Sequence, residues 1–285
     1  MTIQLKHAIY PCTWFDGNAK QAADLYSSVF ADTEITSESP MVVTLRAGKE
    51  KFMFLNGGPM FTPNPSISFF VICQTETEAD SIWAGLGEGG NVLMPLDTYP
   101  WSKKYGWLKD RFGVSWQIML GDLSQVGQKY SPSLMFTQAN AGKAEEAIDY
   151  YTSVFSPSNI GGISRYAEGE GDVAGYIKHA QFSLGDTVMM AMDSSGPHQF
   201  TFNEGVSLVV ECESQQEIDY YWERLTDGGV ESQCGWLKDR FGVSWQIIPA
   251  VLPELMKNPE KAGKVMQVVM QTKKFDIAAL EEAAG

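Results

Sequence analysis

The segment GWLKDRFGVSWQI occurs twice, at 106–118 and at 235–247. Thirteen consecutive identities, 129 residues apart, mark a tandem duplication, so any fold must accommodate the same unit twice. The match extends outward. Pro11 and Phe15 align with Pro132 and Phe136, Tyr26 and Phe30 with Tyr151 and Phe155, and Cys73 and Trp83 with Cys212 and Trp222. The division this implies is a first domain over 1–124, a second over 130–250 and a helical tail over 251–285. The polar, Gly- and Ser-containing stretch around 121–133 marks the boundary.

Each copy repeats one internal order. An apolar stretch (8–15) leads to the turn Asp16-Gly17-Asn18, and a helix follows with Ala19, Ala22, Ala23, Tyr26 and Phe30 at helical spacing. Copy two keeps that register with Ala144, Ala147, Ile148, Tyr151 and Phe155. Strand-like segments come next, at 41–47 and 51–55, then at 176–184 and 187–192. A second strand and helix open at Ile67 in copy one, the helix starting with the capping pair Thr75 and Glu78; copy two has Ser214 and Glu217. The repeated segment predicts a hairpin whose turn is Asp110-Arg111-Phe112-Gly113, with Val114, Trp116 and Ile118 on one face and Ser115, Gln117 and Met119 on the other. The pattern is β-α-β-β-β, four times: an α+β fold of two tandem domains with two units each.

That doubled unit, together with WFDGNA (14–19), NGGPMF (56–61), YGWLKD (105–110) and HAQF (179–182), resembles the vicinal oxygen chelate superfamily, and within it the PhnB-like branch. The superfamily also contains glyoxalases, bleomycin-resistance proteins and extradiol dioxygenases. The resemblance implies paired units curling into half-open barrels around a cavity, completed within one chain or in a homodimer. Proteins resembling this one often carry a methyltransferase label. No strand here leads into the Gly-rich turn and later acidic residue of a nucleotide-type cofactor, so that label has no support in the sequence.

In metal-using members of the superfamily, His and Glu side chains project into the cavity and hold a divalent ion. The Glu four residues after the turn glycine is here Gln117 and Gln246, uncharged amides that bind a hard cation more weakly than a carboxylate. His7, His179 and His198 are the whole histidine supply, and only His179 lies in a predicted strand. No metal or other cofactor is therefore expected. The alternative is a degenerate site in the second domain, with His179, Gln181 and Gln246 on one cavity, serving a metal-dependent lyase, isomerase or dioxygenase. His179 is also the candidate general base, because an unperturbed imidazole titrates near neutrality.

Six of the eight tryptophans form repeat pairs, 83/222, 107/236 and 116/245. Trp107 and Trp236 open the hairpins and are candidates for a cavity mouth. Trp101 has no partner and lies in a segment (92–105) about ten residues longer than its counterpart in copy two, as a lid or an interface would be. The expected cavity residues are thus Gln117, Gln246, His179, Gln181, Trp101, Trp107 and Trp236, and the expected ligand is a small molecule bound without metal. A formal charge of −14 disfavours nucleic acid and anionic membrane surfaces as partners. No apolar run is long enough to cross a bilayer. Four cysteines without a C-x-x-C pair, and no signal-like N-terminus, suit reduced thiols and a cytoplasmic location.

Overall fold

In the computed structural model, residues 3–285 are described. Four β-α-β-β-β units follow one another. The first has β1 (Tyr10–Phe15), α1 (Ala19–Val29), β2 (Thr33–Glu38), β3 (Val42–Ala47) and β4 (Glu50–Asn56). The second has β5 (Ile67–Cys73), α2 (Glu76–Gly87), β6 (Asn91–Tyr99), β7 (Ser102–Lys109) and β8 (Ser115–Leu120). A short helix, α3 (Leu123–Val126), leads to the third unit: β9 (Tyr130–Phe136), α4 (Ala144–Val154), β10 (Ser158–Arg165), β11 (Ile177–Leu184) and β12 (Thr187–Asp193). The fourth has β13 (Val206–Cys212), α5 (Gln215–Thr226), β14 (Val230–Glu231), β15 (Trp236–Lys238) and β16 (Ser244–Pro249). The tail forms α6 (Leu252–Leu255), α7 (Pro259–Gln271) and α8 (Ile277–Ala284). Residues 130–133, which composition alone places in the linker, already belong to β9.

The sheets cross the two copies. One eight-stranded sheet runs β14-β15-β16-β13-β1-β4-β3-β2, joining the fourth unit to the first. The other runs β10-β11-β12-β9-β5-β8-β7-β6, joining the third unit to the second. Both seams are antiparallel: Cys12 of β1 lies opposite Ser207 of β13, and Ser68 of β5 opposite Ser133 of β9. Neither sheet closes into a barrel.

Units of the same copy meet instead through their helix-bearing sides. The turn carboxylate of the repeated segment is the tie. Asp110 Oδ1 accepts from the backbone N–H of Phe112 and Val114, as the D-x-x-G turn requires. Its Oδ2 accepts from Tyr26 Oη of α1 at 2.7 Å and from Trp116 Nε1 at 2.9 Å. Asp239 does the same in copy two with Tyr151 Oη (2.7 Å) and Trp245 Nε1 (2.8 Å). Burial raises both carboxyls, Asp239 to about 6, while these four donors pull in the opposite direction. The surrounding core is aromatic and continuous, with Trp116, Trp245, Tyr26, Tyr151, Phe54 and Phe155 almost fully buried.

Helix starts obey the same duplication. Asn18 makes no side-chain cap; the N–H of Ala19 is taken instead by Asn56 Oδ1 from the end of β4. At the equivalent place Asp193, ending β12, accepts from Gly142 and Ala144. The capping residues Thr75 and Ser214 accept from Glu78 and Glu217 as the sequence predicts. The tail docks on copy two through Phe275, which is 1% exposed and fills the space beside Gly235. Val265 and Val269 of α7 turn inward, while Met270 is exposed. No helix among the described residues is long and apolar enough to cross a membrane.

Candidate functional site

Strand alternation sends Val71, Trp116 and Ile118 toward the helices and Ser68, Phe70 and Gln117 to the other side, the far face of the sheet. On the sheet containing β5 and β9, this far face is a separate apolar cluster. Phe70, Ile72, Tyr105 and Met190 form its centre, with Met94, Tyr99, Trp107 and Met119 packed around them. Gln117 sits in the floor, 1% exposed, and both ends of its amide are occupied. Tyr105 Oη donates to its Oε1 at 2.6 Å, and its Nε2 donates to Ser68 Oγ at 2.7 Å. Ser133, directly across the seam from Ser68 and beside Met190, is 1% exposed, and its hydroxyl has no hydrogen-bond partner. Burial raises the Tyr105 phenol, which keeps it a donor.

His179 and Gln181 reach this same sheet from β11. The His179 ring lies 5.8 Å from that of Phe70, and its nitrogens have no hydrogen-bond or ion-pair partner among the described residues. Burial holds its imidazole below the ordinary value, so it is neutral at pH 7. Gln181 Nε2 makes one long bond, 3.4 Å, to Val126 O. The segment around Trp101 is a hairpin extension of β6 and β7 with bulged register, not an irregular loop. Trp101, 52% exposed at its tip, stacks on Tyr99 at 5.0 Å and meets Tyr105 edge-on at 5.9 Å. Trp107 Nε1 donates to Ser115 Oγ at 2.7 Å.

Gln246 and Trp236 belong to the other sheet. This corrects the expectation that His179, Gln181 and Gln246 face one cavity. Because the sheets join units of different copies, His179 is grouped with Gln117 of copy one, and Gln246 with Cys12. Gln246 Nε2 donates to Ser207 Oγ at 2.9 Å. Burial pushes the Cys12 thiol up to about 12, against hydrogen bonds with Gln246 and Ser207, so it is not a thiolate at neutral pH. Trp236 packs on Trp14 at 5.8 Å, and Trp14 Nε1 donates to Gly58 O. At the sheet's end, Glu211 accepts from Tyr10 Oη and Lys51 Nζ, both at 2.6 Å.

The groups around Gln117, Gln246 and His179 are therefore amides, hydroxyls, thioethers, a neutral imidazole and a protonated thiol, and the Glu211 carboxylate is engaged by Lys51 and Tyr10. Among the described residues no group of three His, Cys, Asp or Glu side chains converges. A hard divalent ion needs anionic oxygens, and at the Gln117 position even the amide oxygen is engaged by Tyr105. The residues present do not fit the divalent ion that the superfamily resemblance implies.

A cavity of about 540 Å³ lies elsewhere, between the two sheets, where the start of β1 and the β3–β4 turn face the start of β9 and the β11–β12 turn. None of the seven expected cavity residues lines it. Sequence reasoning missed this cleft, and it missed Ser68, Ser133, Phe70 and Met190. Alternation along β5, β9 and β12 could have flagged the last four; the cleft depends on cross-copy pairing and left no local signal.

Residues 7–119 and 128–248 match the family model described as 3-demethylubiquinone-9 3-methyltransferase. The chain belongs to that family. It holds two copies of the family unit, one in each half. A PhnB protein from Bacillus cereus is 34% identical over 42% of this chain and all of its own length, with a TM-score of 0.37. Protein PA1353 from Pseudomonas aeruginosa is 26% identical over 40% of this chain and 98% of its own, also at 0.37. Glyoxalase I from Zea mays is 12% identical but covers 89% of this chain and 95% of its own, with a TM-score of 0.58. That likeness is one of fold. No curated protein matches.

Proposed function

We propose that the chain binds an uncharged, partly aromatic small molecule on the far face of the β5–β9 sheet, without a metal ion. The observation that carries this is the state of Gln117: the residue at the expected ion anchor is an amide saturated by Tyr105 and Ser68, in a floor walled by Phe70, Trp107 and Met190. The free hydroxyl of Ser133 and the free ring nitrogens of His179 supply orienting polar groups, and the β6–β7 hairpin adds Tyr99 and Trp101 at the rim. The other sheet has no equivalent hairpin extension, which favours one site over two. Methyl transfer, named in the family description, is not carried over to this chain. The N-termini of α1 and α4 are met by Asn56 and Asp193, and those of α2 and α5 by Thr75 and Ser214, rather than by Gly-rich nucleotide turns. Three buried, unpaired cysteines and a fourth free one accord with a reducing cytoplasm.

A second reading, catalysis with His179 as general base, draws on one observation: a neutral imidazole with both nitrogens free on that face. Titration with 2-naphthol, followed by tryptophan fluorescence, tests the first reading. Saturable quenching that weakens in Trp101→Ala and survives prior dialysis against a chelator is expected. A stoichiometric metal in protein prepared without chelator, lost together with binding in His179→Ala, refutes it.

A further inference from the structure

The cleft between the sheets has chemistry of its own. Its lining is mixed: the nearly buried Ile9 and Phe52 from one sheet and Tyr130 and Pro132 from the other are interleaved with polar and charged side chains such as Lys49, Gln128, Asp186 and Thr187. At about 540 Å³ it falls within the range of small-molecule sites. Most of the charges that line it are already engaged. Lys51 and Glu211 pair with each other, and the backbone N–H groups of Lys49, Glu50 and Lys129 lie close enough to the Glu50 carboxylate to favour its charged form; the His7 ring, 3.3 Å from Glu213, has a buried Nε2 without a hydrogen-bond partner.

Two lining charges remain without a hydrogen-bond or ion-pair partner among the described residues, and they are opposite in sign: Lys49 and Asp186. They occupy equivalent positions. Each follows the turn glycine of a hairpin, Gly48 between β3 and β4, and Gly185 between β11 and β12. The two copies thus present to one cleft the same turn with opposite charges. A symmetric pair of identical units would present two like charges there; the divergence makes the rim a dipole.

We propose that this cleft is a second small-molecule site, for a zwitterion of the α-amino-acid type with an apolar side chain. Lys49 receives the carboxylate, Asp186 the ammonium, and the apolar part of the lining takes the side chain. The site is separate from the far face of the β5–β9 sheet, and either can fail without the other.

Calorimetric titration of the full chain with L-phenylalanine, 3-phenylpropionate and 2-phenylethylamine tests it. L-phenylalanine is expected to bind at one site, about fivefold more tightly than either singly charged analogue. Lys49→Gln should weaken L-phenylalanine and 3-phenylpropionate but not 2-phenylethylamine, and Asp186→Asn the reverse pattern. Both positions are exposed or nearly so, and neither makes a fold-supporting bond. Binding that persists in Trp101→Ala separates this site from the other. The proposal is overturned if L-phenylalanine gives no saturable heat, if one analogue binds as well as the zwitterion, or if neither substitution changes affinity.

Discussion

Replacing Tyr151 by Phe isolates one bond of the tie between the third and fourth units. Tyr151 is fully buried, and its hydroxyl donates to Asp239 Oδ2 at 2.7 Å, while its ring packs on Trp245 at 5.4 Å and Phe241 at 6.0 Å. Phenylalanine keeps the ring contacts and leaves no unpaired donor. Asp239 Oδ2 retains Trp245 Nε1. The loss is one hydrogen bond to a buried carboxylate, about 2 kcal/mol when that carboxylate is charged. With a urea dependence of about 2 kcal/mol per molar, the unfolding midpoint falls by about 1 M. The effect depends on pH with a definite sign. Burial raises the Asp239 carboxyl to about 6, so at pH 8 it is charged in the folded chain, and at pH 5 it is protonated. At pH 5 the lost bond is one between neutral groups, and the cost drops to about 1 kcal/mol. The raised value also makes the wild-type chain lose stability as pH climbs from about 4 to about 6, because there the folded state holds a proton that the unfolded state releases. Urea titrations of both proteins at pH 5 and pH 8, read by tryptophan fluorescence, measure all of this. A cost below about 0.5 kcal/mol at pH 8, or an equal cost at both pH values, refutes the reasoning.

Two further substitutions probe close contacts. Gly57→Ala places a methyl 2.2 Å from the Trp14 ring, so the indole must move and its bond to Gly58 O breaks; a loss of about 2 kcal/mol by thermal unfolding is expected, with a red-shifted fluorescence from the freed indole. Phe275→Ala removes the buried anchor of the tail and should cost about 3 kcal/mol; hydrogen exchange should show α7 and α8 losing protection while the two sheets keep theirs.

The fold was legible because duplication checks itself. Helix registers such as Ala19-Ala22-Ala23-Tyr26 recur in copy two, and β3, β4, β11 and β12 begin within a residue or so of where alternation places them. The role of Asp110 was half legible. Its turn bonds are local and follow from D-x-x-G, but its bonds to Tyr26 and Trp116 need two separate segments brought together. The grouping of site residues was the least legible. Gln117, His179 and Gln246 were each placed on the right kind of strand, yet strand order within a sheet is set by tertiary seams such as Cys12 against Ser207, and hydrophobic period says nothing about which unit lies across a seam. The extra length around Trp101 was visible; that it continues β6 and β7 as a hairpin was hidden by Pro95 and three register shifts.

The seams at β1–β13 and β5–β9 make the two halves of this chain hostages to each other. Cut at the linker, either half would carry two exposed inner strand edges and could recover its hydrogen bonds only by finding a mate, at a rate and yield set by concentration. Tethering replaces that search with an internal event whose effective concentration is in the millimolar range for a short connection. It also frees the mates from being identical. Once association is guaranteed, one half can acquire a long hairpin and the other a reversed charge without endangering assembly, and heterodimer-like specialisation becomes available from a single gene product.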